Sequence, residues 1–371
     1  MQLSAKKTSN VVGLDVEAGS IAAAEVSVNG SAKVGKTGIA TLVPGLSREG
    51  EVVDADALGA ALKDLFAENK LPRDVRVGVA NQRVIVRTIR MPFLEKPEEI
   101  ETAIRFQAQD QVAMPLEQAV LDWQVVGTLS DDDGPKQMDV VVVAARRDMV
   151  LGISQALKSA GLRPVGIDVA AFGMIRALAG STPQHGPQMS YEERLAQRHD
   201  GGLENDQGPA HLFCNLGDVT NLAVARGRTC LFTRVASFGM EGIAQRLAER
   251  RGLTLEHARQ WIGHVGLERP VEEIDGDPET VVAARESLAE GASRLADELR
   301  TSLEFYGSQE GAVAVEGIVA CGPGTVISGL GERLQRDLGY AVQVARPEAL
   351  GHLPDEDAAR LTLSYGLGLA E

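Results

Sequence analysis

Hydrophobic positions along this chain fall into short runs separated by polar, glycine-bearing turns, and two of these turns share one shape. From Leu212 an apolar run ends in Asn215-Leu216-Gly217-Asp218, and a second run, Leu222 to Ala225, leads past Gly227-Arg228 into a strand ending near Val235. That pattern predicts a β-hairpin and a third strand. Near the start of the chain, Val11 to Leu14 is followed by Asp15-Val16-Glu17-Ala18-Gly19-Ser20 and then Ile21 to Val28. Two like hairpins about 200 residues apart predict two related lobes facing a common cleft. Tight hairpins of this kind turn several backbone N–H groups the same way and make a nest for phosphate oxygens, while an acid at a strand end can hold hydrated Mg²⁺.

The rest of the pattern alternates strands and helices. After the first hairpin come a strand over Lys33 to Leu42 and a helix from about Asp54 to Asn69 with Leu58, Ala61, Leu62 and Leu65 at helical spacing. Strands Val75 to Ala80 and Arg83 to Met91 precede a helix opened by Pro97-Glu98-Glu99 and running to about Gln111. Val120 to Val126 alternates as a half-buried strand should, Asp131 to Pro135 is a turn, and Met138 to Ala144 is a fully buried strand followed by a helix from Asp148 to Gly161. These elements, 84 to 160, read as a small α/β subdomain inserted in a first lobe made of 11–83 and 161–205. Arg163 to Asp168 returns to that lobe, and Val169 to Leu178 forms a helix behind it.

Residues 181–210, rich in Pro, Gln, Gly and His, read as a mobile connector with one short helix at Tyr191 to Gln197. The second lobe takes 211–245 and 310–371, with a helical subdomain over 246–309. In that stretch Gly242 to Arg251 is a helix, Thr254 caps another, the acidic run Glu268 to Glu279 is a solvated loop, and a long helix covers Ser287 to Tyr306. On this last helix Glu298 stands one turn from Arg294, the spacing of a helix ion pair. A strand ending in Cys321-Gly322-Pro323-Gly324-Thr325, a helix from about Ser328 to Leu338, a strand at Ala341 to Val344 and a helix from about Asp355 complete the chain.

Composition narrows the function. In 371 residues, 44% are hydrophobic, enough for more than one core. The net charge of −15 supplies no basic face for a nucleic-acid partner. Cys214, Cys230 and Cys321, without a C-x-x-C pair or a histidine at metal-ligand spacing, read as reduced thiols of a cytoplasmic protein. No stretch reaches the roughly 20 apolar residues that span a bilayer, so any membrane association is expected through a partner.

Several longer stretches resemble one family. MPFLEKPEEIETAIRFQAQDQVAMPLEQAVLDWQVVG, GLRPVGIDVAAFGMIRAL, LFTRVASFGMEGIAQRLA, ELRTSLEFYGSQ and the closing LTLSYGLGLA look like the PilM proteins of type IV pilus assembly, relatives of FtsA in the actin-like ATPase superfamily. The resemblance implies an α/β, actin-like ATPase (ribonuclease H-like) fold: two lobes around a nucleotide cleft, with the inserted subdomain of the FtsA and PilM type. It implies that Asp15 holds Mg²⁺ through water, that Gly19 and Ser20 sit near the phosphates of ATP, and that Asn215, Gly217, Asp218 and Thr220 line the second loop. Glu298 would reach the ribose, Gly322, Pro323 and Gly324 would flank the base, and Asp168 falls where the lobes connect.

The sequence departs from that pattern where phosphate chemistry is done. Glu17 and Ala22 stand where the family has glycine and usually lysine, and Asn215 replaces an aspartate, an amide that carries no charge for a hydrated metal; Asp218 is the nearest carboxylate. The expectation is therefore a cleft with weak or absent ATP binding and slower hydrolysis. The implied job is a scaffold, peripheral to the inner membrane, that binds the N-terminal tail of a PilN-like membrane protein. A small-molecule kinase and an FtsA-like filament protein are the alternatives. The kinase needs a catalytic aspartate between the lobes; the filament protein predicts an amphipathic C-terminal helix, whereas the sequence closes at Leu369-Ala370-Glu371.

Overall fold

The computed structural model of the chain describes residues 10–29, 31–112, 114–129, 135–181, 208–309 and 311–369. The expected helix at Tyr191 to Gln197, nearly all of the connector and all but the last residue of the Asp131 to Pro135 turn lie outside the described residues. Strands β1 (Val11–Val16), β2 (Ser20–Asn29) and β3 (Ser31–Thr41) form an antiparallel meander. A two-residue pair, β4 (Ser47–Arg48) with β5 (Glu51–Val52), leads into α1 (Ala55–Glu68). Asp54 caps α1 by accepting the Asp56 and Ala57 N–H groups at 3.1 and 2.9 Å, which orients Leu58, Leu62 and Leu65 into the core. Strand β6 (Asp74–Val79) then lies parallel to β1.

The chain next builds a separate three-stranded sheet from β7 (Ile85–Pro92), β8 (Ala119–Leu129) and β9 (Gln137–Arg146), with β9 in the middle and α2 (Pro97–Gln111) covering one face. Ile89, Met91, Val140 and Val142 from the sheet meet Ile100 and Ile104 from α2. Directly after β9, α3 (Arg147–Ser159) leaves this unit. Its Ile153, Ala156 and Leu157 pack with Leu58, Leu62 and Leu65 of α1 under the first sheet. The inserted unit therefore stops at Arg146, short of the expected residue 160, because the apolar stripe of α3 is matched by α1. Strand β10 (Arg163–Val169) adds beside β6, and α4 (Ala170–Leu178) follows.

A second five-stranded sheet repeats the first. Strands β11 (Ala210–Leu216), β12 (Thr220–Arg226) and β13 (Thr229–Ala236) form a meander, after which the chain runs through α5 (Met240–Arg251), α6 (Leu255–Val265) and α7 (Pro278–Gly307). It then forms β14 (Val315–Cys321) parallel to β11, α8 (Leu330–Leu338), β15 (Val342–Val344) and α9 (Asp355–Gly368). The strand orders β3-β2-β1-β6-β10 and β13-β12-β11-β14-β15 correspond element by element. Helices α5 to α7 share one core with β11 and β12, through Leu212, Leu222, Ile243, Ile262, Leu288 and Leu295. Residues 246–309 thus have no core of their own. Helix α7 begins well before the expected Ser287, because Asp277 caps it and Pro278 occupies its first turn.

Two helices lie between the sheets. Helix α4 packs Met174 and Ile175 against Phe213 and Ala223 of the second sheet, and α9, last in the chain, packs Leu361 and Tyr365 against Ala22, Ala24 and Val26 of the first. The C-terminal helix therefore belongs with the first sheet, although 310–371 as a block was expected in the second lobe. The contact is close: the Ser364 hydroxyl donates to the Ala22 carbonyl at 2.8 Å, and the Arg176 Nε donates to the Gly366 carbonyl at 3.0 Å. A Cβ on Gly366 would overlap the Gly173 carbonyl oxygen, so only glycine permits this approach of α4 and α9. Gly366→Ala is expected to lower stability by about 1–3 kcal/mol through overpacking, while Gly180→Ala, which meets nothing, leaves it unchanged. Urea denaturation followed by circular dichroism measures both; equal midpoints would refute the packing argument.

Candidate functional site

The two sheets bring their hairpin tips together. In the first, the Glu17 N–H closes the turn on the Ser20 carbonyl at 2.9 Å, and the Leu42 N–H holds the Gly19 carbonyl at 2.9 Å. In the second, the Met240 N–H at the start of α5 donates to the Gly217 carbonyl at 2.9 Å, and the buried Thr220 hydroxyl donates to the Phe238 carbonyl at 2.7 Å. The tips then bond to each other. The Gly19 N–H donates to Asp218 Oδ2 at 2.7 Å, and the Asp218 N–H donates to Glu17 Oε1 at 3.2 Å. Each turn's amide is satisfied by a carboxylate of the opposite turn. Gly217 makes this possible, since a Cβ there would overlap the Glu17 carboxylate.

The expected residues divide into those gathered here and those held elsewhere. Asp15, Ser20, Asn215 and Pro323 line a cavity of about 10 Å³ together with Glu17 and Arg360. A second cavity, about 20 Å³, is bordered by Asp15, Glu17, Asn215, Asp218 and Asn221. The Asn215 Oδ1 accepts from Cys321 Sγ at 3.7 Å and lies against Gly322, whose φ is 87°. Gly324 is covered by Leu216 and Met240. Thr220 turns its hydroxyl away from the crossing to Phe238. Glu298 is not brought to the cluster: it pairs with Arg234 of β13 at 3.3 Å, and its expected partner Arg294 instead sits 4.1 Å over the Phe238 ring. Asp168 is committed to the Arg176 guanidinium and the Val169 N–H at the junction of β10 and α4.

Three residues at the crossing escaped the sequence reading. Arg360 of α9 reaches the cavity and favours the charged forms of Glu17 and Asp218. Arg259 of α6 lies against Gly19 and pairs with Glu241 at 2.7 Å. The Nδ2 of buried Asn221 has no hydrogen-bond partner. The two arginines occupy ordinary polar positions of amphipathic helices, where sequence carries no signal of what they face.

Crowded carboxylates in a dry contact resist ionisation. Burial first, then the Asp218 charge, pushes Asp15 up to about 7 from its ordinary 3.8. Burial and the charges of Asp218 and Asp15 hold Glu17 well above the usual carboxylate range, against the Asp218 N–H and Arg360. Asp218 is raised by burial against the Gly19 N–H, Arg259 and Arg360, and Glu241 is raised by burial and Asp218 against Arg259. Magnesium nucleotide does not fit this arrangement. The amides of Gly19 and Asp218 are taken, each cavity is about the size of one water, and among the described residues no three acid, histidine or cysteine side chains are placed to hold a metal.

Because these carboxyls bind protons more tightly when folded, their contribution to stability is present below their ordinary values and is lost as pH rises through the raised ones. Between pH about 4 and about 7 the melting temperature is expected to fall by a few degrees, and Asp15→Asn to flatten that slope. The exposed Asp148, Asp277 and Glu290 are shifted downward and act below this window. A melting temperature that rises across the window in the parent, or an unchanged slope in the variant, would contradict the assignment.

Comparison with known proteins places this geometry. A family model for the type IV pilus assembly protein PilM matches residues 13–195. Among solved structures the chain is similar to one in the PilM–PilN type IV pilus biogenesis complex, at 28% identity over 98% of both chains and a TM-score of 0.76. It shares its fold with the ethanolamine utilization protein EutJ of Carboxydothermus hydrogenoformans, at 13% identity over 96% of this chain and 88% of that one, TM-score 0.52. The ADP-bound MreB5 of Spiroplasma citri is likewise similar in fold, at 12% identity over 96% and 94%, TM-score 0.50. The chain is therefore similar to the PilM type IV pilus assembly proteins, over residues 13–195 by the family model and along its length by structure, and has an actin-like, two-lobed fold.

Proposed function

We propose that this chain is an actin-like scaffold of a type IV pilus inner-membrane platform, and that it captures the N-terminal tail of a PilN-like membrane protein. The observation that carries this reading is the likeness, along 98% of both chains, to the PilM–PilN complex. The place for a tail is the seam between the first lobe and the inserted sheet, where an extended peptide meets a sheet edge or an apolar groove. Two short connections define that seam: Ala80 to Val84 before β7, and the junction of β9 with α3 at Arg146 and Arg147. Among the described residues no helix is long and apolar enough to cross a membrane, and in this reading attachment comes through the partner.

The same reading makes ATP binding weak or absent and hydrolysis slower still. The geometry of the crossing supports this, since the amides that would meet phosphates are bonded to carboxylates. A kinase would need an unengaged acid between the lobes, and both Asp168 and Asp218 are engaged.

Two measurements test the proposal. In a pull-down, an immobilised synthetic peptide of the partner's cytosolic tail is expected to retain the full chain and a scrambled peptide is not; equal recovery on both would sink the scaffold reading. Isothermal titration with Mg-ATP is expected to show no low-micromolar site. Such a site, abolished by Asp15→Ala, would refute the weak-nucleotide part alone.

A further inference from the structure

We propose that the protein carries its own substitute for nucleotide phosphates: the Glu17 and Asp218 carboxyl groups are built-in acceptors that fill each other's turn amides and latch the two lobes shut. This deepens the weak-nucleotide reading and rests on the crossing being the phosphate end of the cleft. A carboxyl oxygen accepting a backbone N–H at a glycine-bearing turn takes the place that a phosphate oxygen would take there. Here the exchange is reciprocal, Gly19 to Asp218 at 2.7 Å and Asp218 to Glu17 at 3.2 Å, across 199 and 201 residues of sequence.

The surroundings are shaped for this contact. The bare Cα of Gly217 leaves room for the Glu17 carboxylate, and Arg259 lies on the equally bare Gly19. Arg360 from α9 and Arg259 from α6 bring one guanidinium from the first lobe's side and one from the second, so each side supplies a cation to the joined acids. The cavities that remain between these groups, about 10 and 20 Å³, are each about the size of one water. Asn221, buried and with its Nδ2 unpartnered, borders the larger cavity and offers a further donor to whatever oxygen enters once the latch opens. A triphosphate must therefore displace Asp218 to reach the Gly19 amide and Glu17 to reach the Asp218 amide.

The experiment is titration of Mg-ATP into the full-length protein and into Glu17→Ala, Glu17→Gln and Asp218→Ala, with the tail-peptide pull-down run on each. Removing a carboxyl group frees one amide. Glu17→Ala and Asp218→Ala are each expected to bind at least about tenfold more tightly than the parent. Glu17→Gln, whose amide oxygen still accepts the Asp218 N–H, is expected to gain less than Glu17→Ala. The two alanine variants act on opposite lobes, so either one, if folded by circular dichroism, decides the matter. A folded alanine variant with no gain overturns the latch, as does a gain in Glu17→Gln equal to that in Glu17→Ala. Low-micromolar binding by the parent overturns the weak-nucleotide reading and the latch with it. Tail capture lost in every protein while the alanine variants gain ATP supports the latch and sinks the partner assignment.

Discussion

Two hydrogen bonds between facing hairpin tips set the relation of the two halves of this protein. Backbone amides at such turns must be satisfied, and in a cleft between lobes the partner is water, a ligand or the opposite lobe. Here it is the opposite lobe. The first tip is closed by the Glu17 N–H on the Ser20 carbonyl and held by Leu42, and the second is held at the start of α5 by Met240 and through Thr220 to Phe238. Their mutual contact therefore transmits directly to the sheets behind them.

Behind the crossing, the lobes meet again through α4 and α9, packed together at Gly173 and Gly366 and each seated on a different sheet. These two contacts, one polar and one apolar, differ in how they respond to change. The helix pair is a close-packed apolar joint that tolerates little volume change. The crossing is a set of coupled acids and arginines whose strength follows protonation and any competing anion. The two halves are thus joined once by close-packed apolar helices and once by titratable groups.

Much of this was legible in the sequence. The hairpins at Asp15 to Ser20 and Asn215 to Thr220 announced themselves through glycine-bearing turns between apolar runs, and their meeting across a cleft followed from the duplication. Element boundaries governed by local chemistry, such as the Thr254 cap of α6, were also readable. Placement was harder. The stripe of α3 shows that one face is buried and not that α1 covers it, and the strong Asp277-Pro278 start of α7 was masked by the acidic residues around it. At the site, Glu17 could be seen as an added charge. That it accepts an N–H from the other lobe depends on the distance of residues 201 positions away, which periodicity cannot supply. Arg360 and Arg259 were invisible for the same reason, as was the pairing of Glu298 with Arg234 of β13.

The claim that the lobes are clasped by their own carboxylates can be examined most directly at the two amides. Amide hydrogen exchange of Gly19 and Asp218, resolved residue by residue in nucleotide-free protein, is predicted to be slow, comparable with the adjoining strand ends at Val16 and Leu216. Exchange at the rate of an open turn at both positions, with the strands themselves protected, would contradict it.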